Sequence, residues 1–311
     1  MEKYFRQYGI FQFGGCTELC AQELPLTSPD NQQVLIKVIS TSVNPIDIKT
    51  RSGLGYVAAG KPADAFLPLG YDVLGEVVQV GDDVADLHPG DRVIGMVGFA
   101  AHPGCYATYT YAKACELIKV NQKADASLAG LCLAGLTAWQ ALAEFEPDGR
   151  PVYVNAATGG VGHLVLQVAK LRGFEAIAVS RRIEHALFAA LDIHAITPTD
   201  YLAQPRKGIL IDLVGGEFGQ RMTKNLQVGS ELVTVPTVTK DQVLETARAQ
   251  QVSGRGILVE ANQAQLTRLY DAEQAGQIKV VVDQSFELRD IQQAHEYVEQ
   301  GIHCGKVIIT A

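Results

Sequence analysis

Residues 151–182 read PVYVNAATGGVGHLVLQVAKLRGFEAIAVSRR, and this stretch decides the fold. Residues 152–156 are a largely apolar run of the kind a buried parallel strand needs. Ala157-Thr158-Gly159-Gly160-Val161-Gly162 follows. Then Leu164, Val165, Val168, Ala169 and Leu171 recur at helical spacing until Gly173. A second apolar run at 176–179 ends at Ser180. The pattern predicts one βαβ unit with a glycine turn between strand and helix, the dinucleotide fingerprint in its required context. The tight turn is expected at Ala157, in place of the usual first glycine. Gly159 lets the backbone approach a pyrophosphate, and Gly162 lets the helix pack close to the strand. A helix N-terminus offers N–H groups and partial positive charge to phosphates, so Thr158, Gly159, Gly160 and Val161 are candidate cofactor contacts. The plain alternative is a strand–turn–helix whose glycines only make the turn.

The end of this unit bears on which dinucleotide is bound. An acidic residue about twenty positions past the glycines would accept hydrogen bonds from the adenosine ribose. Here Ser180 stands there, followed by Arg181 and Arg182. A carboxylate repels a 2′-phosphate, whereas a hydroxyl and a guanidinium bind one. Ser180, Arg181 and Arg182 therefore predict NADPH over NADH. The competing account makes the two arginines a solvated pair at a helix start.

The rest of the chain is consistent with a soluble two-domain protein. It has 311 residues, 47% of them hydrophobic and 19% charged, which leaves ample material for a core. A formal net charge of −8 argues against nucleic acid as a partner. The first residues, MEKYFRQYGIFQFGG, show no apolar signal core, and no apolar run reaches bilayer length. Cysteines at 16, 20, 105, 115, 132 and 304 form no CxxC pair. We expect reduced thiols, a cytoplasmic location and no membrane partner.

Residues 1 to about 122 read mostly as strands and turns. Strands are expected at 34–42, 70–80, 92–97, 106–111 and 116–120, with turns at Gly81-Asp82-Asp83 and Pro89-Gly90-Asp91. Short strands with such punctuation suggest a compact β-barrel-like domain. Residues 126–144 switch to helical periodicity. Beyond Arg182 the alternation continues, with strands expected at 195–197, 209–214, 231–235 and 257–260, a helix at 264–275, strands at 279–282 and 307–310, and a helix at 290–300. His163 falls inside the phosphate helix and is expected on its surface.

Several separated motifs together resemble the medium-chain dehydrogenase/reductases, in the zinc-independent, quinone oxidoreductase-like branch. They are Ser42-Val43-Asn44-Pro45-Ile46-Asp47-Ile48-Lys49, Leu69-Gly70-Tyr71-Asp72-Val73-Leu74-Gly75-Glu76-Val77, Gly90-Asp91-Arg92-Val93, Ala134-Gly135-Leu136-Thr137-Ala138-Trp139, the fingerprint, and Gly305-Lys306-Val307-Ile308-Ile309. The resemblance implies an α/β architecture: a GroES-like, β-barrel-like catalytic domain over 1–124, a Rossmann domain with a doubly wound parallel sheet over 125–261, and a return to the first domain over 262–311. Zinc-dependent relatives carry cysteine where this chain has Asn44 and Gly-His-Glu where it has Gly70-Tyr71-Asp72. Their third ligand cysteine corresponds to Leu133, with Cys132 one residue out of register. Asn44 and Tyr71 are poor zinc ligands, so no metal is expected.

Without a Lewis acid, oxidation of a plain alcohol is difficult, whereas a quinone or an enone accepts hydride more readily. The resemblance places Asn44, Asp47 and Tyr71 as candidate catalytic residues. Asn44 could donate to the oxygen that gains charge or to the nicotinamide ribose, Asp47 reads as a structural acceptor, and Tyr71 is either a donor or a space-filling ring. Thr137 resembles the family threonine beside the nicotinamide, or is a helix hydroxyl bonded to its own backbone. Backbone groups near Val235 are expected to hold the carboxamide. The expected activity is NADPH-dependent reduction of quinones or α,β-unsaturated carbonyl compounds as small-molecule substrates. The alternatives are a reductase or dehydrogenase of simple aldehydes or alcohols, and a non-catalytic NADPH-binding protein. A homodimer is expected through a Rossmann edge at residues 256–260.

Overall fold

The computed structural model describes residues 2–311. Contacts divide the chain into two compact units. One holds the residues up to Leu136 with Glu260–Asp271 and Val280–Ala311; the other holds Thr137–Val259 with Ala272–Lys279.

In the first unit, the GroES-like one, the strand Gln33–Ser42 is the organiser. It pairs antiparallel with Asp72–Val80, Tyr109–Lys113 and Lys306–Thr310. The sheet continues through Arg92–Met96 to Leu117–Lys119 on one side and ends at Val282–Glu287 on the other. Val34, Ile36 and Val38 pack with Val73, Val77 and Val93, while Leu35 packs with Phe5, Ala107 and Tyr109. The alternating character that the sequence suggests for this strand is only partial: both faces are largely buried, with Lys37 exposed. The last strand places Ile308 opposite Ser42, so the C-terminal segment completes a sheet begun early in the chain.

The second unit is a Rossmann sheet of six parallel strands. Across the sheet they run His194–Ile196, Ala176–Val179, Val152–Asn155, Ile209–Asp212, Glu231–Thr234, Ser253–Gly256. This is the doubly wound order, and the strand sequence reverses between Val152–Asn155 and Ile209–Asp212. Val152, Val154, Ile209, Leu210, Ile211 and Val233 are inaccessible to solvent. Each such side chain contributes roughly 1.5–3 kcal/mol relative to exposure, so the strand ends are firmly anchored.

The structure departs from the sequence pattern in several places. Residues 257–260 are not a strand: the sixth strand is Ser253–Gly256, with Glu231 opposite Ser253 and Thr234 opposite Gly256. Backbone pairing holds this edge, so it carries no apolar signal. The strand expected at 279–282 begins only at its last residue and runs over Val282–Glu287, with mostly exposed side chains. The left-handed residue of the fingerprint turn is Ala156, φ +46°, one position before Ala157; that conformation costs an L-residue about 1–2 kcal/mol. The strands Tyr4–Ile10 and Cys20–Pro25, which pair antiparallel, have no counterpart among the predicted ones. Cys20–Pro25 alternates only between half-buried and exposed positions, too weak a contrast to show as a pattern.

Candidate active site

The fingerprint folds as a tight cradle. Gly162 opens the helix Gly162–Leu171, and a Cβ there would lie 2.3 Å from Ala156 O and 2.9 Å from Ala157 Cα. Only glycine accommodates that approach. A Cβ on Gly159 would meet Ala156 O at 3.2 Å, a looser constraint. His163 is buried, not on the helix surface as its position suggests: its Nδ1 lies 2.9 Å from Gly159 O, so the ring braces the turn. Thr158, Gly159, Gly160 and Val161 are partly exposed, and the first N–H groups of a helix have no acceptor within it. Gly159 N already donates to Ala156 O at 2.9 Å and Leu164 N to Val161 O at 3.0 Å; a glycine-lined turn leading into a helix start fits a pyrophosphate.

Ser180 follows the strand Ala176–Val179. Its N–H donates to Ile196 O at 3.0 Å, and its Oγ accepts from Arg182 N at 3.1 Å. Arg181 and Arg182 are exposed. Val235 follows Glu231–Thr234 and donates its N–H to Asp212 O at 2.9 Å. Its amide is therefore already bonded within the protein, and of its two backbone groups the carbonyl is the one left for a ligand. Thr137 is buried in the helix Cys132–Leu142.

In the GroES-like unit, Asn44 caps the helix Pro45–Arg51, with Pro45 at its first position and Asp47 at its third, the usual grammar of a helix start. The Asn44 side chain points elsewhere. Its Nδ2 donates to Asp72 Oδ2 at 2.8 Å, and its Oδ1 accepts from Lys306 Nζ at 2.6 Å. Asp72 also accepts from Ser42 Oγ and, at 2.7 Å, from Leu133 N; Lys306 Nζ lies 3.8 Å from Asp72 Oδ2. All of Ser42, Asn44, Asp72 and Lys306 are buried. Burial pulls the Lys306 pKa below the usual lysine value, and the Asp72 carboxylate opposes the fall. The Asn44 amide is thus engaged with protein groups, not free for a substrate oxygen.

Asp47 forms a second buried group. Its carboxylate accepts from Asn44 N at 2.9 Å, Gly70 N at 3.2 Å and Tyr106 Oη at 2.9 Å. Burial pushes its pKa up to about 7, against these hydrogen bonds, which lower it. Tyr106 Oη lies 3.2 Å from His295 Nε2. Burial, helped by the Arg51 charge, lowers the His295 pKa to about 3, so this imidazole is neutral.

Tyr71 is fully buried, edge-on to Phe99 at 5.1 Å between ring centroids, and its hydroxyl has no protein partner. A buried hydroxyl left unmatched costs free energy and marks a place where a ligand or water completes the bonding. Burial, then the Asp47 charge, raises the Tyr71 pKa well beyond that of a free phenol, which keeps the hydroxyl a hydrogen-bond donor. Cys105 and Cys132 are buried, with pKa values raised chiefly by burial. Among the described residues no three His, Cys, Asp or Glu side chains gather as a metal-binding group, and no helix is long and apolar enough to cross a membrane.

Sequence reasoning did not single out Lys306, Tyr106, His295, Asn155 or Asp212. Lys306 lies within a recognised motif and could have been noticed as a lone cation in a strand; the others carry no local signal.

Comparisons with known proteins identify the family. Residues 30–122 match a family model described as an alcohol dehydrogenase GroES-like domain, and residues 197–309 match one described as a zinc-binding dehydrogenase. The structure of a quinone oxidoreductase from Coxiella burnetii superposes with a TM-score of 0.92 at 35% identity, over 99% of this chain and 100% of that one. A chloroplastic quinone-oxidoreductase of Triphysaria versicolor is 28% identical over 329 residues, 95% of each chain. An NADPH-dependent alkenal/one oxidoreductase of Arabidopsis thaliana, also chloroplastic, is 31% identical over 295 residues, covering 89% of this chain and 72% of that protein. The chain belongs to the medium-chain dehydrogenase/reductase family of oxidoreductases. Within it, these matches place it in the quinone oxidoreductase branch.

Proposed function

We propose that the protein is an NADPH-dependent reductase of quinones or α,β-unsaturated carbonyl compounds that works without zinc. The observation carrying this is the group formed by Asn44, Asp72 and Lys306. A catalytic zinc needs three Cys, His or carboxylate ligands and an open position. Asn44 and Tyr71 are not competent ligands, Asp72 already accepts from Ser42, Asn44 and Leu133, and the Lys306 ammonium supplies a cation 3.8 Å away. These residues do not fit the metal, although one matching family model has zinc in its description. Without that Lewis acid an alcohol lacks its acidified alkoxide, whereas a conjugated acceptor needs only hydride and donors to the oxygen that gains charge.

When bound, a reduced nicotinamide supplies the hydride. In this proposal Thr158, Gly159, Gly160 and Val161 hold the pyrophosphate, and Ser180, Arg181 and Arg182 hold the 2′-phosphate. Thr137 and the backbone at Val235 serve the nicotinamide end. Tyr71 donates to the acceptor oxygen. Asp47, bonded to Gly70 N, fixes the residue next to Tyr71, and Asn44 holds Asp72 and Lys306 in place. The NADPH-dependent Arabidopsis relative supports the choice of cofactor. The functional division at 1–124, 125–261 and 262–311 belongs to the same proposal. So does a homodimer, with its edge moved to the exposed strand Ser253–Gly256, and so does a reducing, cytoplasm-like setting suited to six free cysteines. The test is NADPH oxidation with 1,2-naphthoquinone and with an enone, in parallel with NADH. Steady turnover with NADPH and little with NADH is expected; turnover of simple alcohols alone would refute the proposal.

A further inference from the structure

Three polar side chains close the carboxyl ends of three adjacent inner Rossmann strands. Asn155, Asp212 and Thr234 are the last residues of Val152–Asn155, Ile209–Asp212 and Glu231–Thr234, and all three are inaccessible to solvent. Asp212 Oδ1 accepts from Asn155 Nδ2 at 2.7 Å, Gly215 N at 2.9 Å and Val214 N at 3.2 Å. Its Oδ2 accepts from Thr234 Oγ1 at 2.9 Å. Asn155 Oδ1 in turn accepts from Leu213 N at 2.6 Å. Every residue from Leu213 to Gly215 therefore has its N–H tied to one of two side chains at the point where the strand order reverses.

The same group reaches the next loop. Asp212 O accepts from Val235 N at 2.9 Å, and Thr239 Oγ1 accepts from Gly216 N at 3.0 Å. Gly215 has φ +69°, and a Cβ on it would lie 2.2 Å from Thr239 Oγ1. A Cβ on Gly219 would lie 2.6 Å from Asp212 Oδ2. Two glycines thus make room for this one carboxylate and its partner loop. Buried charge this well bonded is strong when intact and costly when half removed.

We propose that Asp212 is a positioning residue for cofactor binding: with Asn155, Thr234 and Thr239 it sets the backbone of the loops 213–216 and 235–239 at the switch point, where open α/β sheets bind their ligands. The inference rests on the nicotinamide-cofactor proposal and adds to it the group that shapes the receiving loops. Asp212 does not touch the cofactor; by tying down the N–H groups of Val214 and Gly215 it fixes the backbone whose carbonyls do.

The tests are Asp212→Ala, Asp212→Asn and Thr239→Val in the full chain, each checked for fold by circular dichroism and for NADPH binding by nucleotide fluorescence. Asp212→Ala leaves four donors without an acceptor, and its NADPH dissociation constant should rise at least about tenfold. Asp212→Asn can keep Oδ1 toward Asn155 and the loop while its Nδ2 donates to Thr234 Oγ1, so affinity should stay within about threefold of wild type. Thr239→Val cuts the bond between the two loops without touching the buried carboxylate, and should weaken NADPH about threefold to tenfold. The KM for the quinone should not move in any of them. Asp212→Ala that folds and binds NADPH like wild type would overturn the inference, as would an Asp212→Asn as weak as the alanine variant. If Asp212→Ala does not fold, wild-type affinity in Thr239→Val overturns it. Failure of the wild-type protein to bind NADPH would instead overturn the proposed function on which the inference stands.

Discussion

Two buried carboxylates, one in each unit, show contrasting uses of the same chemistry. Asp72 is enclosed by side chains and an N–H from far apart in the chain, Ser42, Asn44, Leu133 and Lys306, and a buried ammonium stands beside it. Asp212 instead accepts from its own following loop and from the neighbouring strand ends, with no cation among its partners. The first arrangement closes a space with side chains and balances its charge internally. The second holds backbone open at the end of a sheet. The carboxylate closed in by side chains has a cation 3.8 Å away, whereas the one that shapes a loop is held by N–H and O–H donors alone.

The largest effect should come from removing that counter-charge. Lys306→Met leaves Asp72 buried without its cation, and stability in urea should fall by about 3–5 kcal/mol. Adding Asp72→Asn to this background should recover part of the loss, because no charge then remains to compensate. No recovery would mean that Lys306 acts through packing alone.

The Asp47–Tyr106–His295 chain sharpens the contrast through pH. Asp47 has its pKa raised from 3.8 to about 7, so it stabilises the fold below pH 3.8 and that stability is lost as pH rises toward 7. His295 has its pKa lowered from 6.5 to about 3, so its contribution is present above pH 6.5 and is lost as pH falls toward 3. The two slopes oppose one another over most of this range. His295→Gln should therefore uncover a stability that falls as pH rises from about 4 to about 7, by at most about 1.4 kcal/mol per pH unit. Urea denaturation at several pH values measures it; an unchanged profile would contradict the burial of the neutral imidazole.

Smaller effects are expected at the positions proposed to face cofactor and substrate. Arg181→Ala should raise the KM for NADPH about tenfold while leaving that for NADH unchanged, since only the 2′-phosphate loses a charge-assisted bond. Tyr71→Phe should lower kcat by roughly tenfold if the hydroxyl donates to the reacting oxygen. The melting temperature should hold or rise, because the hydroxyl has no protein partner to lose. A Tyr71→Phe enzyme with full kcat would reduce Tyr71 to a filler of space.

The same contrast explains what was legible in the sequence. The Rossmann unit announces itself within residues 151–182 because its turn, helix and two strands are neighbours in the chain, so glycine spacing and apolar periodicity suffice. Most of the GroES-like sheet was readable strand by strand, from runs such as the one around Val34. What joins those strands was not: the bond from Asn44 to Lys306 spans 262 residues, and no local pattern encodes it. Asp212 and Asn155 look like ordinary polar residues ending apolar runs. Their partners are each other, Thr234 on a neighbouring strand and the backbone N–H groups of Leu213, Val214 and Gly215, which no local pattern singles out. The edge strand Ser253–Gly256 was missed for a related reason, since backbone pairing and not side-chain burial makes it a strand.

The central claim is hydride delivery from NADPH to an electron-poor acceptor with Lys306 standing in for a metal's charge. The most direct test is the rate of NADPH oxidation with 1,2-naphthoquinone before and after exhaustive chelation, with metal content measured on the same samples. The account predicts an unchanged rate and substoichiometric metal throughout. Activity that disappears on chelation and returns with added zinc would contradict it.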